Sequence, residues 1–163
     1  MAVYGKRRAL GQHFLRDRTI IDTIATSAVE GVIEKQCRAL LEIGPGRGAI
    51  TRPILELLDA RAHELPPKMP MILSERDRDL AENWKAHAAE KSRLRVESGD
   101  FLELPKERWL TQTPLAVVSN LPYSAGTAIV VKLARHPEQI PVMVLMFQAE
   151  VAHRLRAEPG TKS

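Results

Sequence analysis

The sequence is short of cysteine, of long apolar runs and of metal-ligand spacing, and each shortage removes a class of protein. Cys37 is the single cysteine among 163 residues, so an internal disulfide and a multi-cysteine zinc site are both excluded. It stands just before an apolar run, where packing is the expected role, and a chain without disulfides suits a cytosolic compartment. No apolar run approaches the roughly 18 residues that a bilayer span requires. The basic start at Lys6-Arg7-Arg8 is not followed by the apolar core of a signal peptide. The expected location is therefore cytoplasmic. His13, His63, His87, His136 and His153 are scattered without ligand spacing, so no metal site is expected. Repeats and low-complexity segments are also missing.

What is present fits one globular unit, with 44% hydrophobic and 27% charged residues. The net charge of +4 is unevenly placed. Residues 1–18 hold five basic residues (Lys6, Arg7, Arg8, Arg16 and Arg18) against Asp17, while the remainder carries nineteen of each sign. All the excess positive charge thus lies in an N-terminal arm, where it can neutralise phosphates or simply solubilise. Residues 1–17 are taken as this arm and 18–163 as the folded domain.

Beyond the arm, a helix is expected over residues 18–31, capped by Asp17, with Ile20, Ile21, Ile24 and Ala28 on its buried face. Continuous apolar runs follow at 39–43, 71–73, 94–96, 115–118 and 142–147. Helix-like stretches at about 49–61, 78–91, 105–110 and 124–136 separate them, and another starts near Gln148. Apolar strands alternating with amphipathic helices imply an α/β, Rossmann-like fold, a mostly parallel sheet with helices on both faces. In such sheets ligands bind beyond the carboxyl ends of the strands, at the topological switch point. The residues just after each run are therefore the candidates.

After the first run stands Glu42-Ile43-Gly44-Pro45-Gly46-Arg47-Gly48, whose glycines permit a tight turn and close approach of a ligand. Gly48 follows Gly46 by two residues, not the three of the dinucleotide fingerprint, which disfavours a nicotinamide cofactor. The second run ends in Glu75, a carboxylate able to accept from both hydroxyls of a ribose or to begin a solvated helix. It lies 27 residues past Gly48, with Pro66, Pro67 and Pro70 in the interval. The third is followed by Asp100-Phe101, suited to an adenine amino group and ring face, although Asp100 can equally cap a short helix. After the fourth comes Asn120-Leu121-Pro122-Tyr123. An aromatic amine is a weak nucleophile because its lone pair is delocalised into the ring. If the Asn120 amide oxygen and the Leu121 carbonyl accept its two hydrogens, the nitrogen can pyramidalise and aim that pair at a methyl group. Pro122 stiffens the turn, and Tyr123 offers a face for an extruded base.

Gly11-Gln12-His13-Phe14-Leu15, Ile43 to Gly48, Asn120 to Tyr123 and Met146-Phe147-Gln148-Ala149-Glu150-Val151-Ala152 together resemble the rRNA adenine N6,N6-dimethyltransferases, in the family's order along the whole chain. The resemblance implies an S-adenosylmethionine-dependent methyltransferase fold and N6-dimethylation of adjacent adenosines in small-subunit ribosomal RNA during ribosome biogenesis. It implies a cofactor site of Gln12, His13, Leu15, Gly44, Gly46, Glu75, Asp100, Phe101 and Asn120. Catalysis would fall to Asn120, Leu121, Pro122 and Tyr123, with Phe147 as a second stacking surface and Lys6, Arg7 and Arg8 on RNA. Alternatives are an assembly factor in which methylation is secondary, or a methyltransferase of large-subunit rRNA. Two positions depart from the family: His13 stands where asparagine is common, and Ser124 where a second asparagine often follows the tyrosine. The family continues through two more strands and a helical domain. By that comparison this chain is truncated, and its fifth strand is expected to present an apolar edge covered by another copy.

Overall fold

A computed structural model describes residues 15–90 and 93–147. Its five strands are β1 (Ala39–Ile43), β2 (Met71–Glu75), β3 (Leu94–Ser98), β4 (Leu115–Asn120) and β5 (Val142–Met146). They form one parallel sheet in the order β3-β2-β1-β4-β5. Five helices connect or precede them: α1 (Arg18–Glu34), α2 (Thr51–Ala60), α3 (Arg78–Glu90), the short α4 (Lys106–Trp109) and α5 (Gly126–Ala134). The N-terminal arm up to Phe14 and the helix expected from Gln148 lie outside the described residues.

Side chains on β1 alternate between two cores because successive residues of a strand face opposite ways. Leu40 joins Ile24, Ala28 and Val32 of α1 with Ile54 and Leu58 of α2, and Trp84 of α3 belongs to the same cluster. Ala39, Leu41 and Ile43 face the other layer, with Trp109 of α4 and Ile129 and Leu133 of α5. Both faces of the sheet are thus covered, which is why its central strands carry continuous apolar runs. Cys37 is fully buried, and burial pushes its thiol up to about 11, so packing is its role.

The helix starts follow local chemistry. Asp17 Oδ1 accepts from the Ile20 N–H at 3.2 Å, as an N-cap should. Asp77 Oδ1 does the same for α3, accepting from Asp79 and Leu80 at 2.9 and 3.1 Å. Pro53 is tolerated in α2 because it falls in the first turn, where no intrahelical donor is needed. One expectation on α1 is corrected. Ile21, Ile24 and Ala28 are buried, but Ile20 is 44% exposed, since it sits in the first turn beside the solvated start of the helix. The helix also runs on to Glu34. Gly31 allows this, because a Cβ there would lie 2.6 Å from Val142 of β5.

The strand order reverses between β1 and β4. After β1 the chain moves outward through β2 to β3, then returns to the opposite side of β1. This switch point opens a crevice at the carboxyl ends of β1 and β4. It is tied from beneath by the Ser119 hydroxyl, which donates to the Ile43 carbonyl at 2.6 Å.

Candidate active site

The crevice holds a cavity of about 310 Å³, within the range that admits a small-molecule ligand. Leu15, Gly44, Gly46, Glu75, Asp100 and Phe101 all line it. So do Asn120, Leu121, Pro122, Tyr123 and Phe147. The loops that carry them continue the sheet's hydrogen bonding past the strand ends. Gly44 N–H reaches Ser74 O at 2.8 Å, Gly99 N–H reaches Glu75 O at 2.9 Å, and Leu121 N–H reaches Met146 O at 3.2 Å. Gln12, His13, Lys6, Arg7 and Arg8 lie outside the described residues.

The glycine turn has φ of +71° at Gly44, +55° at Gly46 and +87° at Gly48, a region that L side chains rarely occupy. A Cβ at Gly44 would meet no atom of the described residues within 4 Å beyond its own chain neighbours, so among them the turn bounds open space rather than packed protein. Glu75 holds the turn in place. Its Oε2 accepts the Gly46 N–H and its Oε1 accepts the Asp77 N–H, both at 2.9 Å. Burial pushes this carboxyl above the usual carboxylate range, and the two backbone donors pull it back. The carboxylate expected to receive ribose is thus first an anchor between β2 and the glycine turn. Each oxygen keeps a second lone pair, so the two tasks are compatible. From the other side, Trp84 Nε1 donates to the Gly46 carbonyl at 2.9 Å.

Sequence reasoning missed Glu42. It faces the α1–α3 layer beneath the turn, is 2% exposed and lines the cavity. Its Oε2 has no hydrogen-bond partner among the described residues. Burial pushes it up to about 8; the nearby Thr51 hydroxyl, short of a full hydrogen bond by geometry, opposes this, and the charge of Glu75 adds to it. The signal was available as an acidic residue inside an otherwise apolar strand, a position that demands a partner.

Asp100 fills one of its two expected roles, that of a cap. Its Oδ1 accepts from Leu102 N–H at 3.0 Å and caps the following turn, while Oδ2 lies 3.5 Å from Arg76 Nη1 at the cavity's edge. Phe101 is 3% exposed, with its ring centroid 5.0 Å from that of Trp109 and 4.8 Å from Lys132 Nζ. It nonetheless lines the cavity. Lys132, from α5, donates to the carbonyls of Phe101, Leu102 and Leu104 at 2.6, 3.1 and 2.6 Å. Desolvation lowers its pKa, against the charge of Asp100.

The opposite wall is the turn after β4. The Pro122 carbonyl accepts from Ala125 and Gly126 at 3.3 and 3.0 Å, so it starts α5 and is not presented to the cavity. Leu121 is buried at the base, Asn120 is half-buried at the strand end, and Tyr123 is 49% exposed at the mouth. Phe147 follows β5 on the same side, half-buried and lining the cavity. Among the described residues no cluster of His, Cys, Asp or Glu could hold a metal, and no helix is long and apolar enough to cross a membrane.

Comparison with known proteins identifies the family. The family model for ribosomal RNA adenine dimethylase matches residues 4–163. The ribosomal RNA small subunit methyltransferase A of Proteus mirabilis is 38% identical over 162 residues, covering 96% of this chain and 53% of that protein. Its counterpart from Chlorobium luteolum is 38% identical over 156 residues, covering 96% and 51%. Among solved structures, the 23S rRNA methyltransferase ErmE superposes with a TM-score of 0.63 at 27% identity, over 86% of this chain and 50% of that one. An O-methyltransferase from Bacillus cereus, solved with SAH, shares the fold alone, with a TM-score of 0.53 at 15% identity. The chain spans about half the length of the curated relatives it matches. Its sheet is the Rossmann-like sheet of S-adenosylmethionine-dependent methyltransferases. By the family model and by these relatives, the chain belongs to the ribosomal RNA adenine dimethylase family.

Proposed function

We propose that this chain carries the cofactor site and catalytic turn of an S-adenosylmethionine-dependent enzyme that dimethylates N6 of adjacent adenosines in small-subunit ribosomal RNA, acting on the immature subunit in the cytoplasm. The observation that carries the reading is the convergence of the glycine turn, Glu75, Asp100 and Asn120–Tyr123 on one cavity. The residues fit the cofactor. The open space above Gly44 admits its backbone-facing side, Glu75 and Asp100 stand at successive strand ends for ribose and adenine, and Leu15 closes one flank. The unpartnered Glu42 oxygen suits a cationic group. When bound, the cofactor supplies an electrophilic methyl carbon.

The chain's own residues do the rest. The Asn120 amide oxygen and the Leu121 carbonyl accept the two hydrogens of the adenine amino group, so that its lone pair localises on nitrogen. Tyr123 at the mouth, with Phe147 lining the same cavity, receives the flipped base by stacking. Most of the acceleration comes from holding the acceptor nitrogen in line, a positional effect. Lys6, Arg7 and Arg8 contribute phosphate neutralisation in this reading.

The test is transfer of labelled methyl groups from S-adenosylmethionine to under-methylated small-subunit particles by the full-length protein. Mass spectrometry of the rRNA should place two methyls on each of two neighbouring adenosines. Label in large-subunit rRNA, as the name of ErmE suggests for that neighbour, would replace this substrate; no label in either would overturn the reading. A catalytically dead variant that restored normal assembly would favour the assembly-factor role.

A further inference from the structure

We propose that Trp84 is a positioning residue of the cofactor site, its indole N–H fixing the peptide after Gly46 and so setting the shape of the glycine turn. The inference rests on the cofactor reading above and deepens it. Gly46 is held from both ends. Glu75 takes its N–H and Trp84 donates to its carbonyl, each at 2.9 Å, so neither peptide flanking Gly46 can rotate without breaking a bond. Because the peptide joining Gly46 to Arg47 is planar and trans, fixing the carbonyl toward α3 also fixes the direction of the Arg47 N–H. Glycine has the widest conformational freedom of any residue, so a turn with three of them at positive φ needs outside contacts to hold one shape.

The indole also meets the turn sterically. A Cβ at Gly48 would stand 2.7 Å from two atoms of its six-membered ring, so the ring occupies the volume a side chain would need there. Trp84 is itself held: it is 5% exposed, with the Arg52 guanidinium 5.8 Å from the ring and the His87 ring at 5.5 Å. An aliphatic residue at this position could fill the core but could not donate to Gly46. The single polar atom of this buried side chain is spent inside the turn.

The experiment is calorimetric titration of the full chain with S-adenosylhomocysteine, paired with methyl-transfer kinetics, for the unsubstituted protein and Trp84→Phe. The phenylalanine keeps an aromatic core residue and removes the donor. The dissociation constant and the cofactor KM should both rise about three- to tenfold, the scale of one lost hydrogen bond. The kcat at saturating cofactor should stay within about twofold, because the cofactor is held less tightly by the same amount in the ground state and the transition state. Unchanged affinity, or a loss confined to kcat, overturns the proposal while leaving the cofactor reading intact. Failure of the unsubstituted chain to bind S-adenosylhomocysteine overturns both. Should Trp84→Phe not fold, hydrogen exchange of the indole N–H in the unsubstituted chain decides. Saturation with S-adenosylhomocysteine should slow exchange at one indole, and unchanged exchange at both tryptophans overturns the proposal.

Discussion

The two walls of the cavity are held in different ways. On the β1–β2 side the glycine turn is pinned through Glu75 and Trp84, and the loop after β3 is tied down by the three carbonyl contacts of Lys132. On the β4–β5 side, Leu121 is bonded to Met146 and buried, but the turn ends in Tyr123, half out in solvent. The first wall suits a ligand that recurs unchanged at every turnover. The second suits a substrate that must enter from outside, and exposed aromatic surface there costs nothing until a base covers it. The lesson is that rigidity is concentrated where the small ligand is proposed to sit, and accessibility where the large one does.

That contrast can be broken by substitution. The largest effect is expected for Asn120→Ala, which on the proposed mechanism removes the acceptor for one hydrogen of the adenine amino group. The kcat should fall roughly 100- to 1,000-fold, the scale for deleting one aligned polar group, while S-adenosylhomocysteine binding survives. Loss of binding with no separate loss of turnover would move Asn120 to the pinned wall. Next comes Gly48→Ala, which places a Cβ at φ +87° and 2.7 Å from the Trp84 ring. Unfolding in urea should show a loss of about 1–3 kcal/mol, with weaker cofactor binding alongside. Tyr123→Ala should leave stability unaltered and raise the KM for RNA, since stacking contributes about 1–3 kcal/mol per base. An equal drop in melting temperature would show that Tyr123 supports the fold after all.

The last test sharpens the contrast through pH. Glu42 lies beneath the pinned wall with its carboxyl raised from 4.5 to about 8. Between those values the folded chain keeps a proton that the unfolded chain has released. The stability this confers is whole below about 4.5 and is lost as pH rises through about 8, at about 1.4 kcal/mol per pH unit while only the folded form is protonated. Glu42→Gln should flatten that slope in chemical unfolding measured across the same window. A slope unchanged by the substitution would assign it to another group.

Much of this architecture was legible because buried parallel strands are written as unbroken apolar runs. β1 matches its run from Ala39 to Ile43. Three others overrun theirs at the carboxyl end, β2 through Ser74 and Glu75, β3 through Glu97 and Ser98, and β4 through Ser119 and Asn120, while β5 stops one residue short of its run. Backbone pairing does not depend on side-chain polarity, so the ladder carries the functional residues a step further than the apolar pattern shows. The candidate residues after each strand were legible for the same reason, since topology sends every strand end to one edge. What stayed hidden depends on contacts between elements distant in sequence. Nothing in α3 marks Trp84 as the partner of Gly46, 38 residues earlier. Nothing around Phe101 in the sequence announces Trp109 and Lys132 as neighbours of its ring. The apolar edge expected at the fifth strand has a counterpart in Met143, 44% exposed on β5, which pairs only with β4 among the described residues.

Lys132 carries a chemical consequence of its own. An ammonium has three protons to donate, and here all three carbonyl acceptors come from one short stretch of backbone. The free amine is what attacks an acylating reagent, and this nitrogen can expose its lone pair only by letting go of that stretch. In a time course of acetic anhydride labelling it should therefore be among the last lysines to react, and the moment it does would report the loop opening.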